Sequence, residues 1–190
     1  MPSAFNTHTT NPFTQYPQAW ERAAHVKLLV LDVDGVLTNG QVWIGADGKE
    51  SLKAFDIQDG LGIKLLEQCG IATAIITGRN SKMVLARCEE LGIKHVHMGV
   101  ENKSIALAQV LNSLSLTQND CAVMGDDWPD LAMMKNAGLK ICPAQAHEAV
   151  KEYVHYVTIH TGGNSAVREV CDLILKVQNQ YDKLLSKARD

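Results

Sequence analysis

The chain has 190 residues, 46% of them apolar and 21% charged, a balance that suits a globular protein with a substantial buried core. A formal net charge of −3 argues against a nucleic-acid partner, which normally requires a basic face. No apolar run approaches the roughly 20 residues that span a bilayer, so no membrane partner is expected.

Residues 1–17, rich in Thr, Asn, Pro and Ser and without periodicity, read as a mobile tail ahead of a single domain over 18–190. The start of the chain lacks the basic and apolar blocks of a secretory signal, and a cytoplasmic location is expected. The five cysteines are odd in number and form no C-x-x-C pair, so they read as small buried hydrophobes rather than bridges or zinc ligands.

Leu28-Leu29-Val30-Leu31 is the first strand candidate, and its continuous apolar run suits a strand covered on both faces. Asp32-Val33-Asp34-Gly35 follows at its end. Carboxylates on either side of Val33 fall on the same side of an extended backbone. Acids that close repel when ionised, so a cation or a shared proton is expected between them. A calcium loop is the alternative, but it would continue with further oxygen ligands where this chain has Val36 and Leu37.

Gln41–Ile44 and Glu50–Phe55 flank the turn signal Gly45-Ala46-Asp47-Gly48 and predict a β-hairpin inserted at about 40–56. Ile71–Ile76 predicts the next strand, closed by Thr77-Gly78-Arg79. Its hydroxyl and glycine N–H suit phosphoryl oxygens, and a helix cap accounts for Thr77 equally well. Val84, Cys88 and Leu91 mark a helix. Lys103 opens another near Glu101, where a lone lysine is more often solvated surface.

Cys121–Met124 is a further strand candidate. After it, Gly125-Asp126-Asp127-Trp128-Pro129-Asp130 sets three carboxylates before a helix with Pro in its first turn, a set suited to a hard cation. Asp126 is the better ligand; Asp127 or Asp130 can instead cap the helix. Tyr153–Val157 predicts the last strand. Val167, Val170, Ile174, Val177 and Tyr181 predict the last helix, continued to a cationic end by Lys183, Lys187 and Arg189. Strands alternating with helices give an α/β fold: a three-layer α/β/α sandwich on a mainly parallel, Rossmann-like sheet with no cap domain. Ligands in such sheets sit at the carboxyl ends of the strands.

The clusters D-x-D-G, T-G, K and G-D-D-x-x-D, in that order and each at a strand end or helix start, resemble those of the haloacid dehalogenase superfamily of phosphohydrolases over roughly residues 26–177. The resemblance implies Asp32 as nucleophile and Asp34 as acid and base. It implies Mg²⁺ held by the Asp32 carboxylate, the Asp34 carbonyl and Asp126, with Thr77 and Lys103 on the transferring oxygens. The hairpin, Phe55–Gly62, Thr77–Ser81 and Ala166–Glu169 look closer still to the branch of phosphatases acting on 3-deoxy-D-manno-octulosonate 8-phosphate. That branch implies a sugar acid phosphate as substrate in lipopolysaccharide synthesis. It also implies a homotetramer whose hairpins form a central barrel and whose subunits cover one another's sites.

In that branch Arg follows Thr-Gly, as Arg79 does here, and suits a substrate carboxylate beside Gly78; the sibling acting on nine-carbon acids carries Glu. Where relatives read Gly-Gly-Arg-Gly-Ala-Val-Arg-Glu, this chain has Gly162-Gly163-Asn164-Ser165, with Asn164 placed to N-cap the last helix. Another small phosphomonoester is the rival substrate. An idle oligomerisation scaffold is the rival outside enzymes, and the retained acid pair argues against it.

Overall fold

The four apolar residues Leu28–Leu31 form strand β1 and are completely buried. Alternate side chains leave a strand on opposite faces. Leu29 and Leu31 therefore join one apolar cluster and Leu28 and Val30 another. Two clusters on two faces of one sheet make the three layers that the sequence implies. The structure, a computed structural model, describes residues 16–189. The tail expected over 1–17 lies outside them apart from Tyr16 and Pro17, and Pro17 already opens helix α1 (Pro17–Ala23).

After β1 come the short strands β2 (Trp43–Ile44) and β3 (Glu50–Leu52), then α2 (Ile57–Gln68), β4 (Ala72–Ile76), α3 (Lys82–Leu91) and β5 (His95–His97). The chain continues with α4 (Lys103–Leu114), β6 (Cys121–Met124), α5 (Trp128–Met134), β7 (Leu139–Cys142), α6 (Glu148–Lys151) and β8 (Tyr156–Val157). It ends with α7 (Ala166–Val177) and α8 (Tyr181–Lys187). Six strands pair in the order β5-β4-β1-β6-β7-β8, all parallel. The chain moves outward from β1 to β5, then returns to β6 on the other side of β1. The switch point of this sheet, where ligands are expected, therefore lies between the ends of β1 and β6.

One face is covered by residues of α1, α2, α3 and α7, among them Ile63, Leu66, Val84, Cys88, Val170 and Ile174. The other is covered by α4, α5 and α6 through Leu107, Val110, Met133, Met134 and Val150. Burial of each such side chain contributes about 1.5–3 kcal/mol, so either face outweighs any single polar contact. Four cysteines are buried, Cys69 is half-buried and all five are free thiols.

The strands at the sheet margins differ from expectation. Tyr153 and Val154 are not strand: Tyr153 N donates to Val150 O in the turn after α6, and pairing begins at Tyr156. Two strands carried no continuous apolar run. β5 is a half-buried edge strand with two histidines, and Lys140 interrupts β7. The hairpin forms, with strands shorter than the runs that predict it. Trp43 pairs with Leu52 and Ile44 with Glu50, and Gly48 turns at φ +74°.

Both ends of α7 correct the sequence reading. At the start the cap residue is Ser165, at φ +67°, with no side-chain cap of its own, rather than Asn164. Its job is done from α2: the Arg168 N–H donates to Asp59 Oδ1 at 2.7 Å and Ser165 Oγ to Asp56 Oδ2 at 3.0 Å. At the far end the helix stops instead of continuing. Asn179 takes φ +56°, its N–H bonds Lys176 O, and Gln180 N–H bonds Leu175 O, a Schellman ending that Asn tolerates. Gln178 Nε2 then ties this corner to Ala23 O and Val26 O beside α1, and Tyr181 begins a new helix.

Candidate active site

Asp32 is the first residue past β1, and its N–H donates to Met124 O at 3.0 Å, prolonging the ladder to β6 by one step. The same parallel register carries β6 through Gly125 to Asp126. Carboxylate oxygens of Asp32, Asp126 and Asp130 consequently lie within 4.8 Å of one another, at the switch point of the sheet. Only glycine fits against Asp126 in the turn that follows Asp34. Gly35 has φ +94°, and a Cβ there would fall on the Asp126 carboxylate. The loop after Asp34 closes by Val36 N–H and Thr38 N–H to Val33 O, with Val36 and Leu37 buried, so it does not continue as a calcium loop.

Lys103 is not a solvated surface lysine. It is buried at the first position of α4, and its Nζ lies 2.6 Å from both Asp32 Oδ1 and Asp130 Oδ1. Asn102 supplies the cap that starts this helix, accepting the N–H groups of Ser104 and Ile105. One ammonium among three acids leaves an uncompensated negative charge in a space of low dielectric. Burial first, then the Asp130 charge, pushes Asp32 up to about 6 against the opposing Lys103 cation. Burial and the Asp32, Asp130 and Asp127 charges push Asp126 up to about 7. A set of clustered carboxylate oxygens with excess negative charge fits a hard divalent cation such as Mg²⁺.

Asp130 does more than the sequence assigned it, because cap and cluster member turn out to be one role. Its Oδ2 accepts the N–H groups of Asp126 and Asp127, at 2.9 and 3.3 Å, and its Oδ1 faces Lys103. Both oxygens are committed. Asp130 thus orients the loop that turns Asp126 toward Asp32, while Asp127 caps α5 through Trp128 N–H at 2.8 Å.

Thr77 is buried one residue past β4, beside β1, and its Oγ1 accepts Arg79 N–H at 3.4 Å across Gly78. The Asp34 carboxylate stands outside the three-acid cluster. It pairs with Lys53, and its Oδ2 lies 3.7 Å from Arg79 Nε. Arg79 is half exposed, and its Nη2 also lies 3.6 Å from Glu50 Oε1. Neither Glu50 nor Lys53 carried a sequence signal, since hairpin charges are ordinarily solvated. Gln145 was also missed. Its Nε2 donates to Gly35 O at 2.6 Å and its Oε1 accepts Gly162 N–H at 2.8 Å, holding the Gly162-Gly163 loop on the back of the Asp32–Gly35 turn. Arg168 pairs with Asp172 at 2.7 Å, and Glu169 grips the loop at Ile159 and His160.

A sequence model of haloacid dehalogenase-like hydrolases matches residues 99–170. The 3-deoxy-D-manno-octulosonate 8-phosphate phosphatase KdsC of Salmonella typhimurium is 43% identical over 167 residues, 88% of each chain. The Moraxella catarrhalis phosphatase of the same name, solved with magnesium, phosphate and KDO, is 44% identical with a TM-score of 0.87, over 90% of this chain and 98% of that one. The cobalt-bound Haemophilus influenzae enzyme is 36% identical with a TM-score of 0.82, over 84% and 93%. Identity of this degree along nearly the whole of both chains places the protein in the haloacid dehalogenase-like hydrolases, within the family of 3-deoxy-D-manno-octulosonate 8-phosphate phosphatases.

Proposed function

We propose that the protein hydrolyses 3-deoxy-D-manno-octulosonate 8-phosphate to the free sugar acid and phosphate, with Mg²⁺ as cofactor, in lipopolysaccharide synthesis. The observation that carries this reading is the convergence of Asp32, Asp126 and Asp130 within 4.8 Å at the switch point, with Lys103 against them. The relatives that are named for this substrate supply its identity. The Asp32 and Asp126 carboxylates and the Asp34 carbonyl hold the ion. When bound, it offsets the repulsion between an anionic nucleophile and an anionic phosphate.

Phosphoryl transfer gains most from positioning and charge neutralisation. Asp32 attacks phosphorus through a carboxylate oxygen, and the bond from phosphorus to the sugar oxygen breaks as the aspartyl-phosphate forms. Asp34 gives its proton to the departing alkoxide, then takes one from the water that cleaves the intermediate. Lys103 and Thr77 face the phosphoryl oxygens, with the Gly78 N–H beside them. Arg79, with half its side chain open, binds the carboxylate of the sugar acid.

The assembly we propose is a homotetramer of one-domain subunits. Its support is the hairpin, where Trp43 and Ile44 are 54% and 60% exposed beside Val42 and Leu52, more apolar surface than so small an element needs. Free thiols throughout agree with a reducing cytoplasm, and no helix among the described residues is long and apolar enough to cross a membrane.

The test is phosphate release from octulosonate 8-phosphate, the nine-carbon 9-phosphate and a neutral hexose 6-phosphate, with Mg²⁺ and with EDTA. We expect activity only with the metal and a kcat/KM highest for the eight-carbon acid. Near-equal kcat/KM values across the three would overturn the substrate assignment.

A further inference from the structure

We propose that Lys53, carried by the hairpin, is a positioning residue that holds the general acid Asp34 by one oxygen and leaves the other for the departing alcohol. The inference rests on the reading of Asp34 given above. It starts from four side chains that close a ring of alternating charge. Lys53 Nζ contacts Asp34 Oδ1 and lies 2.8 Å from Glu50 Oε1. Arg79 returns from Glu50 at 3.6 Å to Asp34 Oδ2 at 3.7 Å.

The two cations of this ring are not equivalent. The Lys53 side chain is 1% exposed, whereas that of Arg79 is 48% exposed. A ligand can reach the guanidinium, but the ammonium is spent inside the protein. Burying an ammonium is costly unless carboxylates surround it. Here the Asp34 and Glu50 carboxylates both stand against the Lys53 ammonium. Lys53 is therefore a fixed cation whose ion-pair partners are the acid and Glu50. Glu50 precedes it by three residues on the same hairpin, so the two arrive together.

A proton donor must lie within hydrogen-bond reach of the leaving oxygen, and misplacement by about an ångström removes most of its effect. An Asp on a loop has rotamers to spare. Tying Oδ1 to a buried ammonium selects one of them and leaves Oδ2, on the side of Arg79, for the leaving oxygen. As the phosphorus–oxygen bond breaks, Oδ2–H becomes the sugar hydroxyl and Asp34 is left ionised against Lys53. In the second step the same oxygen takes the proton of the attacking water.

The leaving group reveals this role. Octulosonate 8-phosphate and hexose 6-phosphate both release a basic alkoxide that needs the proton. Para-nitrophenyl phosphate releases a stable phenolate that does not. We expect Lys53→Met to lower kcat/KM, which covers the steps through leaving-group departure, by about 100-fold on both alkyl phosphates and by at least ten times less on para-nitrophenyl phosphate. Lys53→Arg, which keeps a cation at Asp34, recovers most of the alkyl activity. Melting followed by circular dichroism checks folding, and Lys53→Gln carries the same contrast if the methionine variant does not fold.

Equal losses on all three substrates would overturn the proposal, as would no loss on any. A loss confined to octulosonate 8-phosphate would also overturn it, by making Lys53 a reader of the substrate carboxylate. Failure of the unaltered enzyme to release phosphate from the alkyl substrates with Mg²⁺ would instead overturn the phosphatase reading beneath it.

Discussion

The ends of β1 and β6 and the β2–β3 hairpin are built on opposite principles. The strand ends are fixed by parallel registers on both sides, so Asp32 and Asp126 are carried into place by the same hydrogen bonds that make the sheet. The hairpin has five strand residues in all and shows its apolar side chains to solvent, yet it buries one lysine against Asp34. Chemistry that tolerates no displacement is placed on the core. The roles we propose for the hairpin, in assembly and in holding Asp34, sit on an appendage that can change without disturbing the core.

That contrast is sharpest for Asp32→Asn. Loss of the proposed nucleophile at the rigid centre should lower phosphate release at least about 10³-fold while the melting temperature stays the same or rises, since one of three crowded charges is removed. Normal turnover in that variant would break the assignment of the centre to the strand ends. The hairpin counterpart is the double variant Trp43→Lys, Ile44→Lys. If the proposed tetramer forms through the hairpins, sedimentation should then show single subunits, with the far-ultraviolet spectrum unchanged and kcat/KM lower by about tenfold, or ~1.4 kcal/mol of transition-state stabilisation. An unaltered oligomer would remove the hairpin from the interface.

The smallest effect is on stability. In metal-free protein the folded state raises Asp126 from the ordinary 3.8 to about 7, mainly by burial. The folded form thus holds a proton more tightly than the unfolded chain, and stability falls as pH rises through that window. Asp126→Asn should shrink this fall, leaving the part due to Asp32, and gain about 1–2 kcal/mol near pH 7 without metal after allowance for partial solvent access. The same variant should lose most of the stabilisation that added Mg²⁺ gives the unaltered protein. Thermal melts between pH 4 and 8, with and without Mg²⁺, check both expectations.

Much of this was legible in residue order. Continuous apolar runs gave β1, β4 and β6, and acids directly after β1 and β6 gave the centre, because a buried parallel strand and its end are both local patterns. Strands away from the centre of the sheet were less visible: β5 and β7 owe their pairing to neighbours rather than to apolar runs of their own. The ends of α7 were misjudged for a related reason. Its N-terminus is served by Asp59, more than 100 residues earlier, with Asp56 holding the Ser165 hydroxyl, so Asn164 is not the cap.

What the sequence determined by itself was which chemistry is possible: paired acids, a lysine and a hydroxyl at the ends of buried strands. Tertiary structure decided how each group is used. It took Lys103 out of solvent, committed both oxygens of Asp130 to a lysine and two N–H groups, and set a hairpin lysine against Asp34. Residue type fixes charge and hydrogen-bonding capacity, which are local properties. Burial and partner depend on segments distant in sequence, and those are what turn a charged side chain into a ligand, a cap or a clamp.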